Sequence, residues 1–315
     1  MLEEVERWLE RRSWAVKDRP LDRLLAAKAR QGTKVSVVLP ALNEEATVGA
    51  IVSVIRRELM TPKVPLVDEL VVIDSGSTDR TSEVAAAAGA RVVHRDAILP
   101  RLPAVPGKGE VLWRSLLVTG GDVVCFVDAD LREFSADFVT GIVGPLLTDP
   151  EVQFVKAMYD RPLGEAPGQG GRVTELVARP LLNLHWPQLA GVVQPLGGEY
   201  AARRSLLERL PFPVGYGVEL GLLVDSLHTV GLDALAQVDV GVRLHRHQDG
   251  RALGRMAAAI YRTAQLRLAR GHLVRPRLTQ FERGERGFEP RTHAVDTEER
   301  PPMVDVEEYR ERRVA

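Results

Sequence analysis

The chain has 315 residues, 45% of them hydrophobic, with 42 basic and 43 acidic side chains and a formal net charge of -1. That is apolar material for one large domain or two small ones, and the near-neutral balance excludes a protein built to coat nucleic acid or anionic lipid. A single cysteine, Cys125, excludes an intrachain disulfide and a cysteine-based metal site.

The start, MLEEVERWLERRSW, is charged and amphipathic, unlike a signal peptide or an anchor. No apolar run approaches the roughly 20 residues of a membrane span, so a cytoplasmic protein without stable membrane insertion is expected. Residues 1–33 read as a helical extension, with Trp8 and Trp14 as docking residues. From Lys34 strands and helices alternate. VSVVLP (35–40) suits a buried strand, and 43–59 has helical spacing with acids in its first turn. DELVVID (68–74) is a second strand, followed by a helix from Asp79 to Ala88 behind the capping-like Ser77-Thr78-Asp79. ARVVHR (90–95) is a third strand. After a proline-rich stretch at 100–106 a helix begins near Gly107, and DVVCFVD (122–128) is a further strand. Such alternation predicts an α/β fold whose mostly parallel, Rossmann-like sheet carries helices on both faces, with ligands at the carboxyl ends of the strands.

The second half is less regular. It predicts a strand over 152–160, a glycine-rich loop at 163–172 leading to a helix near 173–184, a helix over 217–227, a strand over 233–247 and a basic amphipathic helix over 251–270. Residues 281–315 are charged, aperiodic and interrupted by Pro301-Pro302, and are expected to be loosely ordered.

Polar clusters fall at the strand ends. Asp128-Ala129-Asp130 follows the apolar VVCF. Two carboxylates at i and i+2 past a strand can share a hard cation and leave positions for substrate phosphates, although D-x-D also caps ordinary elements. Pro40-Ala41-Leu42-Asn43-Glu44-Glu45 either meets a nucleotide or is a capping loop. Asp74-Ser75-Gly76-Ser77-Thr78-Asp79 turns at Gly76, with hydroxyls and carboxylates expected to face the same crevice. Pro106-Gly107-Lys108-Gly109 places an ammonium beside a helix N-terminus, which suits a diphosphate, without the spacing of a P-loop.

Gly171, Arg172 and Thr174 combine backbone N–H groups, a guanidinium fork and a hydroxyl at a helix start, a phosphate site by physics alone; a mobile lid is the alternative. Glu219, in Gly215-Tyr216-Gly217-Val218-Glu219, either orients or deprotonates a hydroxyl or merely starts a helix. His245-Arg246-His247 reads by itself as a solvated basic patch. Between 243 and 277 stand nine arginines against Asp249 alone, which predicts electrostatic steering of anions or a dimer contact.

In order, V-V-L-P-A-L-N-E-E, V-V-I-D-S-G-S-T-D, P-G-K-G and F-V-D-A-D resemble the GT-A glycosyltransferases that use nucleotide-sugar donors. G-G-R-V-T-E-L-V-A-R-P-L-L (170–182), Q-P-L-G-G-E-Y-A (194–201), G-Y-G-V-E-L-G-L-L (215–223) and V-R-L-H-R (242–246) resemble the glucosyl- and mannosyl-3-phosphoglycerate synthases. The resemblance runs from about Lys34 to His247. It implies a GT-A fold, with a nucleotide-sugar half over 34–131 and an acceptor half over 132–280. It also implies a metal-dependent, retaining transfer of glucose or mannose from a nucleoside diphosphate to the 2-hydroxyl of D-3-phosphoglycerate.

Carried onto matching positions, Pro40, Ala41, Leu42, Glu44, Ser75, Lys108 and Asp128 would bind the donor. Gly171, Arg172, Thr174 and Tyr216 would bind the acceptor, and Glu219, Asp130 and Lys108 would be catalytic. Asp130, Asp128 and His245 would hold Mg2+, Mn2+ or another divalent cation, imidazole being the less usual ligand for so hard an ion. A homodimer that binds no nucleic acid is expected. The alternatives are a GT-A enzyme with a polyprenyl-phosphate acceptor, a sugar nucleotidyltransferase and a non-catalytic nucleotide-sugar sensor. The first usually carries hydrophobic segments, and the second would show a G-x-G-T-R-like loop where PALNEE stands. Sugar and base stay open.

Overall fold

The computed structural model describes residues 2–161, 171–244, 249–268, 277–284, 287–294 and 298–314. It opens with α1 (Glu3–Arg12), β1 (Ser13–Ala15) and α2 (Leu21–Gln31). Next come β2 (Val35–Ala41), α3 (Val48–Leu59), β3 (Glu69–Asp74), α4 (Thr81–Ala87), β4 (Arg91–His94), α5 (Lys108–Val118) and β5 (Val123–Phe126). α6 (Asp137–Thr148) and β6 (Phe154–Asp160) precede a π-helical turn, Thr174–Ala178, that continues as α7 (Arg179–His185). β7 (Tyr200–Arg203), the single turn α8 (Arg204–Leu207), β8 (Phe212–Pro213), α9 (Val218–Val230), β9 (Leu235–Val242) and α10 (Gly250–Leu268) follow. Last are β10 (Arg277–Gly284), β11 (Gly287–Ala294), β12 (Glu299–Arg300) and α11 (Glu307–Val314).

Eight strands form one sheet in the order β1-β9-β6-β7-β5-β2-β3-β4. Every pairing in it is parallel except those of β7, which is antiparallel to both β5 and β6. The expected α/β fold and mostly parallel sheet are both present. Near-continuous apolar runs form these strands because helices bury both faces. Val37, Leu39 and Cys125 pack in a core with residues of α2, α3 and α6, while Val38, Val124 and Phe126 pack with residues of α5 and α9.

Both ends of the chain depart from expectation. Residues 1–33 are mostly helical and docked through Trp8, as expected, but Ser13–Ala15 add an unexpected strand to the sheet: β1 pairs with β9, setting Trp14 opposite Val238. Trp8 is buried and donates its indole N–H to the Leu235 carbonyl at 2.8 Å. Residues 299–309 of the tail expected to be loosely ordered are packed on the body. β12 pairs antiparallel with β8, Met303 and Tyr309 are buried, and the Tyr309 hydroxyl bonds to Glu208 and accepts from Arg204 at 3.2 Å. Arg300 donates to both oxygens of the buried Glu110 on α5 at 2.6 and 2.9 Å. Arg267 on α10 joins Asp225 of α9 at 2.5 Å and Glu299 at 2.7 Å. A segment folded by charges aimed at the body needs no periodicity of its own, so periodicity could not reveal it. No helix among the described residues is long and apolar enough to cross a membrane.

Candidate active site

The carboxyl ends of β2, β3 and β5 open into a cavity of ≈ 930 Å³, faced from the other side by Gly171–Thr174, Gly215–Glu219 and α10. Every residue singled out above for donor, acceptor or catalysis lines it. Asp128 and Asp130 of the proposed metal set line it as well; His245 lies outside the described residues.

At the nucleotide end the two loops after β2 and β3 are stitched together. Asn43 takes a left-handed backbone conformation (φ 58), which delays the helix predicted from residue 43 until Val48. The Asn43 side-chain oxygen accepts the Thr78 N–H at 2.8 Å, Thr81 Oγ1 accepts the Glu44 N–H at 2.8 Å, and Asp79 accepts the Glu45 N–H at 3.2 Å. Asp74 accepts the N–H groups of Gly76 and Ser77 and the hydroxyl of Ser82. Burial opposes ionisation of Asp74, and the bonds from Ser82 and Ser77 overcome it and hold the carboxyl below its ordinary range. The polar side chains of 74–79 therefore build the turn rather than face the crevice, as expected from sequence; Ser75 is the one that lines the cavity.

Pro106-Gly107-Lys108-Gly109 also works differently from the sequence reading. A Cβ at Gly109 would overlap the Pro213 carbonyl oxygen, and one at Gly107 the Val214 oxygen. The glycines let the start of α5 press against β8, which fixes Lys108 in place. Lys108 Nζ lies 2.5 Å from Asp128 Oδ1 and 2.8 Å from Glu219 Oε1. Burial disfavours its ammonium, yet Asp128 and Glu219 together hold its pKa well above the usual lysine range.

Arg243, just past β9, closes the network. Its Nη2 lies 2.8 Å from Asp128 Oδ2 and 3.4 Å from Asp130 Oδ1, and its Nε donates to Glu199 Oε1 at 2.9 Å. Glu199 Oε2 in turn accepts from the Tyr159 hydroxyl at 2.8 Å. Arg243 is buried, and its Nη1 has no hydrogen-bond partner among the described residues. The sequence reading passed over Arg243 and Glu199; the available signal was an arginine at the carboxyl end of a predicted strand, two residues before His245.

The paired carboxylates diverge. Burial opposes the charge on Asp128, but Lys108 and Arg243 overcome it and bring its pKa down to about 2. Burial and then the charge of Asp128 push Asp130 above the ordinary range, with Arg243 opposing. Asp130 thus has more negative charge around it than its cationic contacts offset. A divalent cation fits there: hard oxygen donors, an under-compensated carboxylate and an open cavity for a substrate's phosphates. Among the described residues no three histidine, cysteine or carboxylate side chains form a closed metal cage.

At the far end Gly171 turns the chain in a left-handed conformation (φ 78), and its carbonyl accepts the Glu175 N–H at 3.0 Å. Arg172 and the buried Thr174 follow at the head of the π-helical turn, and π turns recur at functional sites. Tyr216 is 47% exposed, whereas Glu219 is buried. α10 turns Leu253, Met256 and Ile260 toward the cavity. Of the basic run, Arg243 and Arg267 are buried in ion pairs rather than displayed for steering.

A mostly parallel sheet with a cavity at the carboxyl ends of its strands and a D-x-D carboxylate pair beside it is the architecture of a nucleotide-sugar transferase of the GT-A type. The model of glycosyl transferase family 2 matches residues 36–209. The chain is 51% identical to the glucosyl-3-phosphoglycerate synthase of Mycolicibacterium smegmatis, over 95% of this chain and 98% of that protein. It thus belongs to glycosyl transferase family 2 and, within it, to the glucosyl-3-phosphoglycerate synthase family.

Among solved structures it is similar to glucosyl-3-phosphoglycerate synthase from Mycobacterium tuberculosis in complex with Mn2+, uridine diphosphate and phosphoglyceric acid. The TM-score is 0.82 at 49% identity, over 92% of this chain and 94% of that one. Mannosyl-3-phosphoglycerate synthase from Rubrobacter xylanophilus superposes with a TM-score of 0.89 at 39% identity, over 96% and 99% of the two chains.

Proposed function

We propose that this protein transfers glucose from a uridine diphosphate donor to the 2-hydroxyl of D-3-phosphoglycerate, with retention of configuration. The geometry that carries the reading is one cavity with two unlike ends: an acidic, cation-ready end at Asp128 and Asp130, where Lys108 heads α5 and a cation would bridge to a diphosphate, and an anion-recognising end at Arg172 with Gly171 and Thr174. A donor diphosphate fits the first end, and the acceptor's phosphate or carboxylate fits the second. The relatives support both, since the Mycobacterium tuberculosis synthase holds uridine diphosphate and phosphoglyceric acid. Identity favours glucose, at 51% to a glucosyl enzyme against 39% to the mannosyl one. Because both substrates are phosphorylated metabolites, the reading places the enzyme in the cytoplasm.

When a divalent cation is bound, by Asp130, Asp128 and, on family likeness, His245, it supplies Lewis-acid charge to the departing diphosphate. Lys108, fixed at the head of α5, adds a positive charge and a helix N-terminus on the same side. Pro40, Ala41, Leu42, Glu44 and Ser75 form the nucleoside wall. Glu219 has Oε1 held by Lys108, which suits a carboxylate that orients the acceptor hydroxyl rather than a free base. Asp128 and Glu219 are both ion-paired, and Asp130 faces the cation. No carboxylate of the site is thus poised as a nucleophile, and the reading favours attack from the face the diphosphate leaves. Trapping a glycosyl adduct on any of the three would overturn that route.

The test is a donor panel of UDP-glucose, GDP-glucose and GDP-mannose against 3-phosphoglycerate with Mg2+ or Mn2+, read by product mass and anomeric configuration. The expected product is the α-linked glucosyl-3-phosphoglycerate from UDP-glucose. A preference for GDP-mannose corrects the sugar and base. Transfer to polyprenyl phosphate alone, or no transfer at all, overturns the reading.

A further inference from the structure

Lys156 is a buried charge that the reading above does not use. It stands in β6 at the centre of the sheet, 1% exposed, between Tyr200 of β7 and Gln237 of β9. Its ammonium donates to the carbonyl of Gly197 and lies 4.9 Å over the Tyr200 ring. No ion pair neutralises it within 4 Å among the described residues. The charged and titratable groups facing it are Glu199 just before β7, Tyr200 from β7, Glu219 from α9, Lys108 from α5 and Asp128 from the loop after β5.

A lysine buried at this cost in the sheet needs a compensating role, and its bond partner points to one. Gly197 precedes Gly198, whose place leaves no room for a side chain: a Cβ there would overlap both Asp128 carboxylate oxygens and Lys108 Nζ. The turn before β7 is thus packed between Lys156 beneath and the Asp128–Lys108 pair above, and Leu196 of the same turn lines the cavity.

We propose that Lys156 is a positioning residue for the transfer: by holding the Gly197 carbonyl from inside the sheet, it keeps the Leu196–Gly198 turn pressed on the Asp128–Lys108 pair that meets the donor diphosphate. The proposal rests on the transferase reading for its kinetic consequences, while its structural half stands without it. A charge-assisted hydrogen bond is about twice as strong as a neutral one, so the turn is held most firmly while the ammonium is charged. Burial draws its pKa down to about 8, against the pull of Glu219 and Glu199. The grip therefore weakens as pH rises through about 8 and is complete below it.

The test compares Lys156→Met and Lys156→Gln with wild type in kcat, both KM values, the pH profile of kcat, melting temperature and calorimetric affinity for UDP without turnover. In Lys156→Met, kcat is expected to fall about 10- to 100-fold, the cost of a small misplacement of the reacting groups, UDP affinity to weaken about 3- to 10-fold, and acceptor KM to stay within about twofold. Wild type should show an alkaline limb near pH 8 that both variants lack, with Lys156→Gln, still a donor to Gly197, retaining more activity than Lys156→Met.

Unchanged kcat and UDP affinity in a folded variant would overturn the proposal. So would a loss that tracks only the folded fraction, or a limb near pH 8 that persists in the variants. If Lys156→Met does not fold, Lys156→Gln carries the comparison through its pH profile. If wild type transfers nothing, the transferase reading fails, and UDP affinity still decides whether Lys156 holds the diphosphate end.

Discussion

The two ends of the cavity are built on opposite terms. Around Asp128 the contacts are ion pairs within 3.4 Å, Lys108 and Arg243 with Asp128, Lys108 with Glu219 and Arg243 with Asp130; Arg243 and Glu219 are buried and Lys108 is half-buried. Around Gly171 the groups proposed for the acceptor are backbone, a π-helical turn, Arg172 and the half-exposed Tyr216. A leaving diphosphate is best met by charges already in position, since nothing then reorganises as the bond breaks. An acceptor that must enter and product that must leave are better served by groups near the surface. The fold commits buried ion pairs to the first task and leaves the second to an adaptable rim.

Breaking the buried end should have the largest effect. Asp128→Asn leaves Lys108 and Arg243 without their shared counter-ion. Turnover should vanish, and urea unfolding should show a loss of about 1–3 kcal/mol, since Lys108 keeps Glu219 and Arg243 keeps Glu199. A variant that lost activity but kept full stability would show that the network is not what holds this end together.

Asp130→Asn should abolish turnover to a similar degree with the opposite effect on the cation-free fold. Asp130 is held above its ordinary pKa, so the folded state binds its proton more readily than the unfolded chain does. Without a cation, stability therefore rises as pH falls through that raised pKa toward the usual aspartate range. Asp128 behaves in reverse: its stabilisation is present above about pH 3.9, the usual unfolded value, and is lost as pH falls toward 2. Cation-free Asp130→Asn should melt at or above the wild-type temperature at neutral pH and lose the acid-side gain, while keeping the loss near pH 2. Mn2+ should raise the melting temperature of wild type and not of the variant; a lower cation-free melting temperature for the variant would contradict this account.

The rim should respond most gently. Arg172→Ala is expected to raise acceptor KM by about 10- to 100-fold, from a lost charged hydrogen bond of about 1.5–3 kcal/mol. Donor KM should stay within about twofold, and stability within about 0.5 kcal/mol. If donor binding weakened instead, the assignment of the two ends would be reversed.

How much was legible in the sequence follows the same division. Strands buried on both faces announce themselves as apolar runs, and the polar residues just after them necessarily gather at one edge of a parallel sheet. Thus Pro40, Ser75, Lys108 and Asp128 could be placed together from sequence. What an oxygen does once there could not be read: Ser77 and Thr81 bond to the neighbouring loop, and no pattern in the chain distinguishes that from facing a ligand.

Arg243 and Glu199 were missed because their pairing spans 44 residues and the bond to Asp128 spans 115. The tail was misread for the same reason, since Arg300 and Glu110 stand 190 residues apart. The departures are concentrated where distant charges meet, which local periodicity does not encode.

That closing contact of Arg300 on Glu110 bears on when the site comes into being. Residues 299–309 are synthesised after every residue they brace. Until they are added, Glu110 has only Arg114 as a guanidinium partner, Arg267 lacks Glu299, and β8, against which the start of α5 is pressed, lacks its neighbouring strand. A nascent chain can lay down the parallel strands early, since their contacts are already present. β12 then adds a neighbouring strand to β8, on which the head of α5 and Lys108 rest. The wall behind Lys108 is therefore completed by residues far along the chain, and its folding is coupled across the 190 residues that separate Arg300 from Glu110.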